Sequence, residues 1–161
     1  MIVNFSNEPV NYDNFESIFL AGPTLRNSDY ARDSWRVEAV KILEELGFDG
    51  TVYIPEFTDL ESMKDFDAEK QTRWEWEALA NSSIIVFWVP RNNTDLPGFT
   101  TNVEFGRYVT MCPEKVVLGN PPDATKMQYL KLLYTQCTGR NAKSTMEDTL
   151  KEAVNILWGN I

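Results

Sequence analysis

The chain has 161 residues, 43% of them apolar and 24% charged, with 24 acidic against 15 basic side chains and a net charge of −9. That balance fits one globular domain over residues 1–161 and excludes global disorder, collagen and coiled coil. With no cluster of Lys or Arg, it argues against nucleic acid or an anionic membrane as partner.

The first 15 residues read as a loose polar lead-in, without the basic start and apolar run of a signal peptide. Residues 16–21 read as a buried strand that stops at Gly22-Pro23. Asn27, Ser28 and Asp29 offer N-caps for a helix reaching about Leu46, and Gly47 is a good stop for it. Residues 51–54 form a second strand, closed by Pro55, and residues 56–66 a long loop. Asp67 is placed to cap a helix through Ala80. Residues 84–89 form a third strand, the most hydrophobic one, followed by a loop over 91–98. Thr100 or Thr101 then caps a helix to about Cys112. Residues 115–118 form a fourth strand, and residues 123–136 and 144–158 two last helices. The longest apolar run, 84–89, is far below the roughly 20 residues of a membrane span.

Strand and helix alternate, and the strands are continuously apolar. This predicts an α/β fold: a doubly wound parallel sheet of four to five strands, flavodoxin-like or Rossmann-like, in a three-layer sandwich. Ligands of such sheets bind beyond the carboxyl ends of the strands. The loops to inspect are therefore 22–28, 55–65, 90–101 and 119–123.

There is no histidine, which excludes a Ser-His-Asp triad, a Cys-His pair and imidazole ligands. Proton transfer falls to Asp, Glu, Lys, Tyr or Cys. Cys112 and Cys137 match neither a redox nor a zinc spacing, and a reducing cytoplasm is the simplest location. Neither G-x-G-x-x-G nor a P-loop occurs. Gly22-Pro23 reads as a turn, or as a tight backbone passage that lets a small ligand approach. On a helical wheel Glu77 falls on a polar arc with Lys70, Arg73 and Asn81, whereas Glu75 falls between Ala78 and Leu79. Glu75 is thus the carboxylate in need of a partner or a function, or else a side chain that snorkels from the helix edge. Glu104 stands in the first turn of its predicted helix. Thr101-x-x-Glu104 reads as a capping box, like Ser144-x-x-Glu147. The alternative is a carboxylate kept ionised by the helix terminus and able to act as a nucleophile. The five tryptophans read mostly as core, with Trp88 also placed to stack on a planar base at the end of its strand.

Seven segments taken in order carry a resemblance. They are Ile18-Phe-Leu-Ala-Gly-Pro-Thr24, Ser34-Trp-Arg36, Val52-Tyr-Ile-Pro-Glu56, Trp74-Glu75, Val86-Phe-Trp-Val-Pro90, Thr100-Thr-Asn-Val-Glu-Phe-Gly106 and Val116-Val-Leu-Gly-Asn-Pro-Pro122. Together they resemble the nucleoside 2-deoxyribosyltransferase family. The resemblance implies a flavodoxin-like domain that cleaves the N-glycosidic bond of 2′-deoxynucleosides and transfers the 2-deoxyribosyl group between bases. It implies Glu104, in Glu104-Phe-Gly106, as the nucleophile on C1′. Glu75 becomes the acid for the departing base or a positioner, with Asp95 in reserve. Trp88 and Phe19 would wall the pocket, and Asn102 and Thr100 would bind the deoxyribose hydroxyls. Gly22, Pro23, Thr24 and Gly98 would line it. No metal or organic cofactor is required. The implied partners are a deoxynucleoside or deoxynucleotide, a free nucleobase, and further copies of the chain in a homo-oligomer. One departure stands out: family members carry an Asp just before the third strand, where this chain has Asn81-Ser82-Ser83. Asp95, Glu75 or Glu56 would then take that role, or the activity is altered. Two alternatives accompany this reading. One is a 2′-deoxynucleoside 5′-monophosphate N-glycosidase, with charge from Arg26, Arg36 or Arg91. The other is a non-catalytic nucleotide-binding module.

Overall fold

Runs of Val, Ile and Phe flanked by Gly, Pro or Asn become strands covered on both faces. The structure, a computed structural model, describes residues 1–25 and 30–159. Strands β1 (Ile2–Phe5), β2 (Ser17–Ala21), β3 (Thr51–Ile54), β4 (Ile84–Trp88) and β5 (Val116–Gly119) form one parallel sheet in the order β1-β3-β2-β4-β5. The helices are α1 (Tyr30–Asp33), α2 (Arg36–Glu45), α3 (Ala68–Asn81), α4 (Phe99–Met111), α5 (Gln128–Thr138) and α6 (Met146–Leu157).

Side-chain alternation along the strands divides the core into two layers. Ile85, Phe87 and Val89 pack with Trp74, Ala78 and Leu79 of α3, Phe105 and Val109 of α4, and Tyr134 of α5. Ile84, Val86 and Trp88 pack with Ala39 and Leu43 of α2 and Leu150, Ala153 and Val154 of α6. Helices therefore cover both faces, and the architecture is the doubly wound three-layer α/β sandwich that the sequence predicts.

Several boundaries differ from expectation, each for a local reason. The lead-in contains β1, an edge strand whose only buried member is polar: Asn4 donates to Glu8 Oε2 (3.2 Å) and to Pro9 O (3.1 Å). Four residues interrupted by Asn4 make too short an apolar run to betray a strand. The single helix expected up to Leu46 is two, α1 and α2, and Arg26 and the caps at Asn27, Ser28 and Asp29 fall outside the described residues. Asp67 does cap α3, accepting from the backbone N–H of Glu69 and Lys70. Thr145, not Ser144, caps α6, in a reciprocal pair with Asp148. Trp76 and Trp158 are exposed rather than core.

The chain leaves β2 toward β3 on one side, and returns from β3 to β4 on the other. The winding reverses there, which opens a crevice beyond the carboxyl ends of these strands. Gly22 makes the crevice possible: a Cβ at that position would stand 2.1 Å from Trp88 O and 2.9 Å from the Trp35 ring.

Candidate active site

A cleft of about 490 Å³ opens at this crevice. Gly22, Pro23, Thr24, Glu75, Asp95, Gly98, Thr100 and Glu104 all line it, joined by Tyr30, Glu56 and Gln71. Three other residues predicted for the pocket stand elsewhere. Phe19 is fully buried beneath the site, its ring 6.3 Å from Trp74. Trp88 points to the opposite face of the sheet, into the layer of α2 and α6, where a Cβ on Gly119 would meet its ring at 2.9 Å. Strand parity decides this, since Phe87 and Val89 take the cleft side. Asn102 is exposed on α4, and its Oδ1 accepts from the Arg91 guanidinium. Asn102 thereby ties the loop before α4 to the helix, rather than facing a ligand.

That loop is shaped by Asn92, whose Oδ1 accepts from the backbone N–H of Thr94, Asp95 and Leu96 at 2.9, 2.6 and 3.3 Å. Gly98 then takes a left-handed conformation (φ +63°) as N-cap of α4, with no side-chain cap. Starting the helix at Phe99 makes Glu104 its sixth residue. The Thr101–Glu104 capping box therefore does not form, and Glu104 is not in the first turn. The field of a helix terminus fades beyond that turn, so it does not hold Glu104 ionised. Burial wins instead: with the Glu75 charge adding to it and the Arg36 charge opposing, the Glu104 carboxyl rises from 4.5 to about 7. Burial also pushes the Glu75 carboxyl up, against a hydrogen bond from Gln71 and the charge of Arg36. Gln71 Nε2 donates to Glu75 Oε1 at 2.8 Å. Glu75 is half-buried while Glu77 is exposed and accepts from Tyr12, as the helical wheel anticipated.

Behind the cleft lies a side chain the sequence reading treated only as a possible phosphate ligand. Arg36 is completely buried. It donates to Leu20 O (2.9 Å), Thr24 Oγ1 (2.9 Å) and Gly22 O (2.8 Å), and forms a short ion pair with Glu56. Trp35 Nε1 adds a bond to Pro23 O at 3.0 Å. The Gly22–Thr24 turn is thus clamped by its own carbonyls and hydroxyl. Burial and the charge of Glu56 push the nearby Tyr30 phenol up to about 12. A signal for Arg36 existed: it shares a helical face with Ala39 and Leu43, three and seven positions on, both apolar. Ser82 and Ser83, the departure before β4, lie at the opposite end of that strand. Ser82 Oγ bonds Ala78 O and Ser83 Oγ bonds Phe15 O. Their hydroxyls close the bottom of the sheet and do not enter the cleft. Among the described residues no three side chains from His, Cys, Asp and Glu are grouped so as to hold a metal ion. No helix among them is long and apolar enough to cross a membrane.

Two half-buried carboxyls in one cleft, with the charge of Glu75 acting on Glu104, at the switch point of a doubly wound sheet, define an α/β protein equipped for acid–base chemistry on a small ligand. The family described as nucleoside 2-deoxyribosyltransferase like matches residues 16–123, and the chain belongs to it. Membership makes it a nucleoside deoxyribosyltransferase-like protein, a class of glycosyl-transferring enzymes, with a small nucleoside or nucleobase as ligand. Comparison with curated proteins gives no match.

Proposed function

We propose that the protein cleaves the N-glycosidic bond of a 2′-deoxynucleoside and transfers the 2-deoxyribosyl group to another base through a covalent bond to Glu104. The observation that carries this reading is the joint presence of Glu75 and Glu104 in one cleft, each raised by burial and Glu104 raised further by the charge of Glu75. Two neighbouring carboxyls titrate as a coupled pair, so a single proton belongs to the pair and can sit on either of them. The reaction draws on the form with that proton on Glu75 and Glu104 ionised. The Glu104 carboxylate attacks C1′ as the C1′–N bond breaks, and the Glu75 carboxyl gives its proton to the departing base nitrogen. The incoming base then attacks C1′, displaces Glu104, and returns a proton to Glu75. Two inversions leave the anomeric configuration unchanged. Asp95, at the exposed rim, and Thr100, Gly98 and the Gly22–Thr24 turn would contact base or sugar.

A homo-oligomer belongs to the same reading. On α4, Phe99, Val103 and Met111 are 73%, 73% and 67% exposed, and Tyr129 and Leu132 of α5 are exposed beside them. Phe99 and Val103, four positions apart, share one face, and Phe99 also lines the cleft. A second copy covering this stripe would adjoin the site. Light scattering coupled to gel filtration checks it, with Val103→Asp expected to lower the mass.

The activity is tested by incubating the protein with a 2′-deoxynucleoside and a distinguishable free base, then separating the products. A new nucleoside from the native protein, and none from Glu104→Gln, is the expected result. Released base without exchange would replace transfer by hydrolysis. No change in any of the four 2′-deoxynucleosides would refute the proposal.

A further inference from the structure

We infer that the Arg36–Glu56 pair makes Glu56 the specificity-determining residue of the cleft: Glu56 neutralises the buried guanidinium behind the site and offers its second oxygen to a neutral O–H or N–H donor of the substrate, so that a phosphate is refused. This rests on the deoxyribosyl reading above and assigns its substrate class.

Two observations converge on one wall. Glu56 is 8% exposed, and only its Oε1 is used, by Arg36; Oε2 is buried without a partner. Gln71 is the second. Its Nε2 donates both to Glu75 Oε1 and to Pro55 O (3.3 Å), which fixes the amide orientation and leaves Oε1 buried and unpaired. Pro55 directly precedes Glu56, so both orphan atoms belong to the same side of the cleft, and both residues line it. Buried acceptors without partners are rare in native proteins and unfavourable until a donor reaches them. Both are acceptors, and the ligand they fit brings hydrogens.

Charge points the same way. Among the described residues lining the cleft, the charged ones are Glu56, Glu75, Asp95 and Glu104, all acidic. Arg36 stands directly behind, but its guanidinium already serves three oxygens besides the Glu56 carboxylate. A neutral ion pair offers a phosphate dianion no compensation, and the remaining carboxylates repel it. A nucleoside donor, whether a sugar hydroxyl or an exocyclic amine of the base, meets no such opposition.

The test compares kcat/KM for a 2′-deoxynucleoside and its 5′-monophosphate. The native protein is expected to favour the nucleoside at least tenfold. Glu56→Gln is expected to narrow that ratio at least tenfold, because the amide oxygen takes the place beside Arg36, the amide nitrogen replaces the free acceptor with a donor, and the Arg36 charge is no longer neutralised. A misfolded fraction lowers both rates alike and leaves the ratio untouched. Should Glu56→Gln not fold, the native protein decides with two analogues. One is a 2′,5′-dideoxynucleoside, the other a purine 2′-deoxynucleoside without an exocyclic amine. A tenfold loss with the first assigns the donor to the sugar, and with the second to the base. A native preference for the monophosphate, an unchanged ratio in Glu56→Gln, or no loss with either analogue overturns the inference while leaving the deoxyribosyl reading standing. No turnover of any of these compounds overturns both.

Discussion

Replacing Glu104 by Gln is expected to stabilise the protein, and only above a certain pH. In the folded chain the Glu104 carboxyl rises from 4.5 to about 7, first through burial and then through the charge of Glu75. The folded state therefore keeps a proton that the unfolded state has already lost between pH 4.5 and about 7. Folding takes up a proton in that window, so stability falls as pH rises through it, and the cost is complete above 7. At about 1.4 kcal/mol per tenfold, the displacement corresponds to about 3 kcal/mol. Glu104 is only half-buried, and solvent screening reduces this to about 1–2 kcal/mol. Gln has no proton to lose and escapes the cost. For a chain of this size, Glu104→Gln should melt about 2–8 °C above the native protein at pH 8. The two should coincide near pH 4.5. Thermal unfolding at half-unit steps from pH 4.5 to 8.5 measures the gap. A gap that does not change with pH would refute the reasoning. So would a variant that loses ground to the native protein as pH rises.

Transfer activity should rise as pH passes through about 7, where Glu104 loses its proton. In Glu75→Gln the rising limb should move to lower pH, while the maximum rate falls because the acid is gone; a pH–rate profile of both proteins reads this. Arg36→Met should cost about 3–5 kcal/mol, the usual penalty for leaving one member of a buried ion pair alone. Urea unfolding measures it, and a loss below about 1 kcal/mol would show that Glu56 finds another partner. Gly22→Ala should destabilise by about 2–4 kcal/mol, as expected for a Cβ that cannot be accommodated, because that atom would fall 2.1 Å from Trp88 O. A fully stable Gly22→Ala protein would mean that the β2 and β4 ends move apart freely.

The sheet was legible because burial on two faces leaves strands such as Ile84–Trp88 with no polar positions at all. Residues 2–5 were not, since the apolar run of this edge strand is short and its one buried position is Asn4, held by side-chain bonds. Glu75 could be singled out because a wheel reports which side of a helix is covered. Glu104 was legible as an element of the site but not in its charge state. The residue at which a helix starts is set by turn geometry, here Gly98 in a left-handed conformation, and two positions of difference replaced dipole stabilisation by burial. Trp88 was misplaced because the face a strand residue takes depends on parity within the folded sheet, and Phe19 because, on the cleft side, it is covered by neighbours such as Trp74. Arg36, Glu56 and Gln71 were missed as a unit because their bonds join segments 20 and 16 positions apart, and no local pattern encodes such a meeting.

The edge strand has a consequence for the order in which the molecule is made. β1 pairs only with β3, and Ile2 stands opposite Thr51. The 49 positions between them (51 − 2) take about 2–10 seconds to synthesise. During that interval β1 has no strand partner. β2 meets a shorter delay before β3, since Ser17 stands opposite Thr51, and a longer one before β4, since Ile18 stands opposite Ile84. Nothing in the sheet can zip from one end as a hairpin does, and the first strand is held only once the third is in place. The bonds that carry the N-terminal segment over α3, Glu8 O with Trp74 Nε1 and Tyr12 with Glu77, are later still. A ribosome that stalls before residue 51 would therefore present an unpaired, extended segment to chaperones or to a neighbouring chain.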